Sequence, residues 1–153
     1  MAGHLSSIVA ARPEMLARAT LRIDTAGPTL IEFTQDAAQF LRSCGASDGV
    51  LTAFVRHTSC SLTIQENADP DVRRDLLTAL QRIAPENAGW VHDTEGPDDM
   101  PAHVKAMLTG VSLTVPVADG RLMLGTWQGL YLVEHRRAPH RREIMLQFFG
   151  SRN

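Results

Sequence analysis

The stretch VSLTVPVADGRLMLG at residues 111–125 determines the fold class that we predict for this chain. Its first seven positions alternate between apolar and mostly smaller or polar side chains, which is the period of a half-buried strand. Asp119-Gly120 is a two-residue hairpin signal, so the chain is expected to turn there and return as the next strand. Because Pro116 has no N–H group to donate, its strand is expected at a sheet edge or a bulge.

The rest of the chain adds further strands and three helices to this hairpin. Strands are predicted at residues 17–23, 49–56, 61–65, 129–135 and 143–149. Thr34 is predicted to cap the first helix, Asp69 followed by Pro70 the second, and Pro101 is predicted to open the third. Strands outnumber helices and mostly follow one another, so the predicted class is α+β: a compact single domain with an antiparallel sheet or sandwich core and a few helices.

Length and composition limit the possible classes of protein. The chain has 153 residues, of which 44% are hydrophobic and 21% charged, so we expect one globular domain over residues 1–153, with 1–14 as a tail. The formal net charge is −2, which argues against a basic surface for nucleic acid. No apolar run approaches the roughly 20 residues of a membrane span, and the first residues show no signal-peptide pattern.

Cysteine and lysine are both scarce. Cys44 and Cys60 are too few for a disulfide framework, so we expect reduced thiols, a buried Cys60 and a cytoplasmic location. Lysine and arginine total 15, and Lys105 is the single lysine, which leaves 15 − 1 = 14 arginines. Lys105 therefore carries the one side-chain primary amine of the chain.

Polar side chains concentrate in four segments: HTS at 57–59, ENAD at 66–69, HDTEGPDDMPAH at 92–103 and GTWQG at 125–129. Imidazoles and carboxylates together are what a divalent-metal site or an acid/base pair requires. Simpler interpretations remain open: His57 as a structural residue, Asp69 as a helix cap only, and the acidic run as a solvated loop. His92 and His103 lack the i, i+4 spacing of a helical zinc pair.

The third predicted helix suggests two further roles. His103 near its N-terminus lies where the helix dipole disfavours a charged imidazolium, which suits a neutral ligand or base. The same N-terminus attracts anions, so Lys105 is predicted to help hold a phosphate group there.

These segments, read together, resemble a known family. HTSCSLTIQENADPDVRRD at 57–75, WVH at 90–92, EGPDDMPAHVK at 95–105, TVPV at 114–117, GTWQG at 125–129 and EH at 134–135 are similar to the motifs of the YjbQ family, which is often labelled secondary thiamine-phosphate synthase. The resemblance covers the chain from about Leu16 onward. It implies an α+β fold rich in antiparallel strands, assembled as a homotrimer, with a polar pocket near the subunit boundary.

The resemblance also implies the site residues. The residues expected to be catalytic are His57, Asn67, Asp69, Glu95, His103 and Gln128. The residue types themselves add two further expectations: Lys105, Thr58 and Ser59 to bind phosphate, and His57, His92 and His103 to bind a divalent metal, Mg or Zn.

The activity implied is a weak or secondary thiamine-phosphate synthase reaction. It joins hydroxymethylpyrimidine diphosphate to a thiazole phosphate and releases pyrophosphate. Two alternatives stay open: another metal- or acid/base-dependent enzyme acting on a phosphorylated metabolite, and a non-catalytic trimer that binds an anion or small molecule. The expected partner is a small phosphorylated metabolite, with neither nucleic acid nor membrane.

Overall fold

A computed structural model describes residues 3–153 and shows eight strands and three helices within them. The strands are β1 (Met15–Thr25), β2 (Thr29–Glu32), β3 (Ala46–Val55), β4 (Cys60–Glu66), β5 (Ser112–Ala118), β6 (Arg121–Leu122), β7 (Gln128–Glu134) and β8 (His140–Arg152). The helices are α1 (Thr34–Cys44), α2 (Pro70–Ile83) and α3 (Asp99–Thr109). Residues 3–14 of the predicted tail contain no helix or strand, and residues 1–2 of it lie outside the described part.

The strands form two antiparallel sheets with one main apolar core. The first has five strands in the order β1-β8-β3-β5-β6, and the second has three in the order β2-β7-β4. Leu51 of β3 and Phe148 of β8 belong to the same buried cluster as Leu62 of β4 and Leu132 of β7, and Leu41 of α1 joins them. Side chains from both sheets and a helix thus fill one core, which confirms the α+β fold with an antiparallel core.

The hairpin predicted at Asp119-Gly120 is present. Both residues have positive φ, 50° and 72°, as a type I′ turn requires. The returning strand β6 covers only two residues, fewer than expected. Because β6 pairs with β5, β5 is second from the edge, not the edge strand that Pro116 predicted. The Pro116 carbonyl accepts a hydrogen bond of 2.9 Å from the N–H of Met123, just beyond β6, so proline is tolerated beside this short edge strand.

The predicted caps of α1 and α2 agree with the structure to different degrees. Asp69 caps α2 as predicted, since its Oδ1 accepts a hydrogen bond of 2.9 Å from the N–H of Asp71. Thr34 does not cap α1: it is the first residue of the helix, Phe33 stands at the cap position, and no side chain caps it. The Thr34 hydroxyl instead accepts from the N–H of Leu130 and donates to Glu32, which ties the helix start to β7 and β2.

Helix α3 begins at Asp99, two residues before the predicted start at Pro101. The first N–H groups of a helix have no intrahelical partner, so proline is tolerated in the first turn and need not open it. The earlier start places Asp99 and His103 one turn apart on the same helix face. Among the described residues, no helix is both long and apolar enough to cross a membrane.

Candidate functional site

Two histidines and a buried carboxylate meet where the loop after α2 joins α3. Oδ2 of Asp99 lies 2.7 Å from Nε2 of His92 and 3.3 Å from Nε2 of His103. The two imidazole rings have centroids 5.6 Å apart. One ligand atom from each residue lies within 4.8 Å of the other two, so one cation can contact all three. His92 and His103 are too far apart in sequence to be a pair on one helix, but the loop brings them together.

Arg136 fixes the position of the Asp99 carboxylate in this cluster. Its Nη1 donates to Oδ1 of Asp99 at 2.5 Å, and its Nε donates to Oδ2 of Asp98 at 3.1 Å. Its Nη2 donates to the backbone carbonyl of Glu95 at 2.8 Å. One guanidinium therefore orients the loop and the helix start together, and leaves Oδ2 of Asp99 for the histidines.

The carboxylate of Asp99 is held in its charged form although its side chain is only 2% exposed. Burial by itself opposes ionisation, but the hydrogen bond from His92 and the positive charges nearby, chiefly Arg136, outweigh it. The net effect lowers the pKa of Asp99 below its usual value. The cluster thus presents a buried negative charge to a cation.

The orientation of His103 is decided by the backbone of Thr58. Nδ1 of His103 lies 2.8 Å from the Thr58 carbonyl oxygen, which can only accept, so Nδ1 must carry a proton and donate it. In the neutral imidazole, Nε2 then has a lone pair, and it faces Asp99 Oδ2, a second acceptor. Two acceptors facing each other need a proton or a metal ion between them. A histidine held by a backbone carbonyl is also the usual arrangement of a metal ligand.

The donor set suits zinc better than magnesium. Two imidazoles and one carboxylate are common ligands of Zn²⁺, whereas Mg²⁺ prefers oxygen ligands. The side chains of His92 and His103 are 44% and 30% exposed, so the cluster opens to solvent on one side. A three-ligand site with an open side is typical of catalytic rather than structural zinc.

His57, predicted as a third imidazole ligand, lies outside this cluster in the single chain. Its Nε2 accepts a hydrogen bond of 2.9 Å from the N–H of Glu143, so the remaining proton of the neutral ring is on Nδ1. Burial, with a contribution from the charge of Arg142, lowers the pKa of His57 and favours that neutral ring. His57 can act on the cluster only indirectly, through the adjacent Thr58, which holds His103.

The predicted phosphate ligands do not converge. The hydroxyl of Ser59 is buried and accepts from Nη2 of Arg142 at 3.0 Å, whereas Thr58 is exposed beside His103. Lys105 lines a cleft with residues of α2 and β7, which contains none of the three cluster residues. Acidic Asp98 and Asp99 already stand at the N-terminus of α3, where an anion was expected. A phosphate site made by these residues stays a prediction.

The remaining predicted residues form a second group at the far end of β4. Glu66 pairs with Gln128 in the β4–β7 ladder, and the backbone N–H of Asn67 donates to the carbonyl of Trp127. Asp69 follows as the cap of α2. The seven-residue strand β4 separates this group from residues 57–59, a distance of about 20 Å at the usual rise per residue.

Glu95 remains close to the first group. It belongs to the same loop as His92, its side chain is exposed, and its backbone carbonyl accepts from Arg136. Sequence reasoning missed Asp99 and Arg136 as parts of the site. The signal for Asp99 was its i, i+4 relation to His103, which appears only if the helix starts before Pro101. Nothing in the local sequence marks Arg136.

Comparison with known proteins identifies the family. A family model described as UPF0047 protein YjbQ-like matches residues 19–151. The chain belongs to this YjbQ-like UPF0047 family. It is 47% identical over 132 residues to UPF0047 protein sll1880 of Synechocystis, which covers 86% of this chain and 90% of that protein. It is 36% identical over 134 residues to UPF0047 protein YugU of Bacillus subtilis, covering 86% and 98%.

Two solved structures share the fold. A YjbQ/UPF0047 protein of Clostridium acetobutylicum is 35% identical, with a TM-score of 0.79 over 85% of this chain and 98% of that one. The conserved hypothetical protein TT1486 of Thermus thermophilus is also 35% identical, with a TM-score of 0.77 over the same shares. The predicted resemblance to the YjbQ family is thus confirmed for sequence and fold.

Proposed function

We propose that this YjbQ-like protein is a metal-dependent enzyme that acts on a small phosphorylated metabolite. The observation that supports it is the position of His103 Nε2, which lies 3.3 Å from the buried Asp99 carboxylate while Nδ1 is held by a backbone carbonyl. His92, Asp99 and His103 are the proposed ligands of a Zn²⁺-like ion. Such an ion, when bound, polarises a phosphoryl oxygen or activates a water molecule.

The residues around the proposed ligands would have defined parts in this activity. Arg136 keeps Asp99 charged and oriented, and Thr58 keeps Nε2 of His103 directed at the ion. The exposed hydroxyl of Thr58 and the carboxylate of Glu95 lie on the neighbouring segments, where a substrate would enter. Metal binding is expected to weaken as the histidines are protonated, because ligating imidazoles must be neutral.

Metal content tests the first part of the proposal. The protein, purified without chelators, is expected to hold one zinc-like ion per chain by elemental analysis. His103→Ala and His92→Ala should each abolish the bound ion. His4→Ala is the matched control, because His4 is exposed in the segment before β1, and it should keep the ion. A protein that binds no divalent ion in equilibrium dialysis would overturn the proposed site.

The specific reaction suggested by the family resemblance is thiamine-phosphate synthesis at a secondary rate. Departing pyrophosphate accumulates negative charge, and a bound cation would stabilise it. Metal-loaded protein given hydroxymethylpyrimidine diphosphate and thiazole phosphate should form thiamine phosphate, and His103→Ala should not. Bound metal without this product would exclude this reaction and retain the broader proposal, with a non-catalytic binder as the remaining alternative.

We further propose a homotrimer whose pocket combines the two groups of residues from neighbouring subunits. Within one chain, the strand β4, about 20 Å long, separates Asn67 and Asp69 from Thr58, whose carbonyl holds His103, so contact with a neighbour would be needed to unite the two groups. Apolar side chains are exposed on the five-stranded sheet, where Leu16 and Phe149 are direct partners across β1 and β8. Such an exposed apolar surface is typical of an interface.

Light scattering with size-exclusion chromatography tests the trimer. The expected mass is three times the 16.8 kDa chain. Phe149→Glu should dissociate the assembly, while Val91→Glu, at an apolar position in the loop before α3 that is exposed even more than Phe149, should not. A monomer at micromolar concentration would contradict the shared pocket.

A further inference from the structure

A second cleft, of about 490 Å³, lies between α2, α3 and β7. Its apolar wall includes Pro28, Leu77 and Leu80, and its polar wall includes Lys105 of α3 and His135, which follows β7. None of the three proposed metal ligands lines this cleft. A small molecule bound there would therefore contact side chains that the proposed metal site does not use.

Lys105 is almost fully buried at this cleft, with 7% of its surface exposed. Its Nζ donates to Oε1 of Gln81 at 3.2 Å, and within residues 3–153 it forms no ion pair. Lysine is almost never so buried unless it is paired with an opposite charge. The amide of Gln81 supplies a hydrogen bond but no charge, so the ammonium group of Lys105 lacks a counter-ion.

The acidic groups around Lys105 are each already paired with an arginine. Glu134 lines the same cleft, and the charges of Glu86 and Asp98 also act on Lys105. The three pairs are Glu134–Arg142, Glu86–Arg137 and Asp98–Arg136, with N···O distances of 2.6, 3.2 and 3.1 Å. Arg82, which is exposed, lines the cleft as well and adds a further positive charge. The cleft thus carries positive charge that these carboxylates do not neutralise.

The proton on His135 can be placed by following a chain of hydrogen bonds. The hydroxyl of Thr109 lies 2.7 Å from the carbonyl oxygen of Lys105 and 2.5 Å from Oγ of Ser61. The carbonyl can only accept, so the single Thr109 proton goes to it, and Ser61 donates to Thr109. Oγ of Ser61 then accepts from Nε2 of His135 at 2.8 Å. Nδ1 of His135 consequently has a lone pair and no proton to donate to a ligand.

We propose that this cleft binds the carboxylate of a short aliphatic acid, with Lys105 as its counter-ion. The ammonium group of Lys105 donates to one carboxylate oxygen, and Nε2 of Gln81, whose Oε1 accepts from Lys105, can donate to the other. The hydrocarbon chain of the acid packs on Leu77 and Leu80. The ligand thereby supplies the single negative charge that the buried ammonium group lacks.

The same surroundings favour a carboxylate over inorganic phosphate. A phosphate dianion would bring a second negative charge towards the lone pair of His135 and the carboxylate of Glu134. It also has no apolar part to pack on Leu77 and Leu80. Arg82 attracts both kinds of anion, and its exposure to solvent weakens that attraction, so it does not decide between them.

The single lysine makes the proposed site directly observable. Protein prepared with isotope-labelled lysine gives one lysine side-chain signal by NMR, that of Lys105. Butyrate should shift this signal along a saturable curve. Butyramide, which has the same shape but no charge, should bind at least about tenfold more weakly. Acetate should also bind about tenfold more weakly, because two fewer methylene groups are buried.

Two comparisons exclude other sites for the same anion. Butyrate should bind equally well before and after a chelator has removed any bound metal, since no proposed metal ligand lines the cleft. Inorganic phosphate should bind more weakly than butyrate. Binding that is lost with the metal would assign the carboxylate to the metal site, and tighter binding of phosphate would give the wrong class of ligand. Either result would overturn the proposal.

Lys105→Met separates ligand binding from a structural role. The variant keeps the aliphatic stem and removes the charge. Its melting temperature should be no lower than that of the unmodified chain, because it no longer buries an ammonium group without a counter-ion. Butyrate should raise the melting temperature of the unmodified chain and leave that of Lys105→Met unchanged. Arg74→Met is the matched control, because Arg74 lies on α2 but does not line the cleft, and it should keep the response.

Three outcomes would contradict the carboxylate site. They are a Lys105 signal that butyrate leaves unshifted, butyramide that binds as tightly as butyrate, and Lys105→Met protein that butyrate still stabilises. The first two are measured on the unmodified chain, so they decide the question even if Lys105→Met does not fold.

Discussion

Nε2 of His103 lies 3.3 Å from Oδ2 of Asp99, one turn earlier on α3. Both atoms are acceptors when His103 is neutral, because its Nδ1 proton is already donated to the Thr58 carbonyl. The contact is favourable only if a positive charge lies between the two atoms. This relationship connects the fold to the proposed metal chemistry, since the first turns of α3 contribute Asp99 and His103 and the segment between β3 and β4 contributes Thr58.

Removing the guanidinium of Arg136 should weaken metal binding without removing a proposed metal ligand. Arg136→Met leaves His92, Asp99 and His103 in place but removes three hydrogen bonds that orient the loop. Zinc affinity, measured by competition with a chelating dye, should fall about 10–100-fold. Arg137→Met is the control, because the exposed side chain of Arg137 contacts only Glu86 in an ion pair. Equal affinities in the two variants would contradict the role of Arg136.

The buried ion pair between Glu134 and Arg142 should contribute strongly to stability. Nη2 of Arg142 donates to Oε1 of Glu134 at 2.6 Å and its Nε donates to Oε2 at 2.7 Å, which joins β7 of one sheet to β8 of the other. Glu134→Gln leaves the guanidinium buried without its counter-charge, so unfolding free energy should drop about 3–5 kcal/mol in denaturant titrations.

Glu143, which follows Arg142 on β8, provides the matched comparison. It pairs with Arg22 and Arg56, whose side chains are about two-thirds exposed, so Glu143→Gln should cost no more than about 1 kcal/mol. A Glu134→Leu, Arg142→Met double variant should lose less than the sum of the single changes, because neither charge is then left alone. Additive losses would show that the two side chains act independently.

Stability should fall as the pH is lowered from about 6.5 to 4, and His135 should account for much of the loss. Burial, with the charge of Lys105, lowers the pKa of His135 from 6.5 to about 4. In that window the unfolded chain binds a proton that the folded chain does not, so acid favours unfolding, by a total on the order of 3 kcal/mol.

Denaturant titrations of His135→Gln at pH 7, 5.5 and 4 check this expectation. The variant should show a clearly smaller loss of stability over the window. Some loss should remain, because burial also lowers the pKa of His57, and protonation of His57 in acid therefore also favours unfolding. Below pH 4, protonation of Glu134 should destabilise both proteins, because burial raises its pKa but the hydrogen bonds from Arg142 and Thr25 outweigh burial and lower that pKa overall. A pH profile identical to that of the unmodified chain would refute the assignment.

The two thiols should differ sharply in reactivity. Burial raises the pKa of the Cys60 thiol to about 12, and the residue has no exposed surface, whereas Cys44 is partly exposed. A disulfide reagent at pH 8 should therefore modify one thiol in the native protein and two after unfolding, since the thiolate is the reactive form. Cys44→Ser should remove the native reaction. Rapid modification of Cys60 in the folded chain would contradict the packing of β4.

Local patterns were sufficient for most of the fold. The alternation before Asp119 predicted β5, and the Asp69-Pro70 pair predicted the start of α2. Each is determined by a residue and its immediate neighbours. Thr34 was misassigned because its hydroxyl is taken by Leu130 and Glu32, which lie on other strands and cannot be recognised from the local sequence.

The sequence by itself determined the residue types of the site: imidazoles and carboxylates in a long loop, and a single lysine. Only the tertiary structure decided which of them meet. A strand spaces its two ends apart, so β4 separates His57 from Asn67 in one chain, whereas a loop can fold back and bring His92 to Asp99. Helical geometry likewise directs His103 towards Asp99 and leaves Lys105, two residues later, facing another cleft, because successive side chains point about 100° apart around the axis.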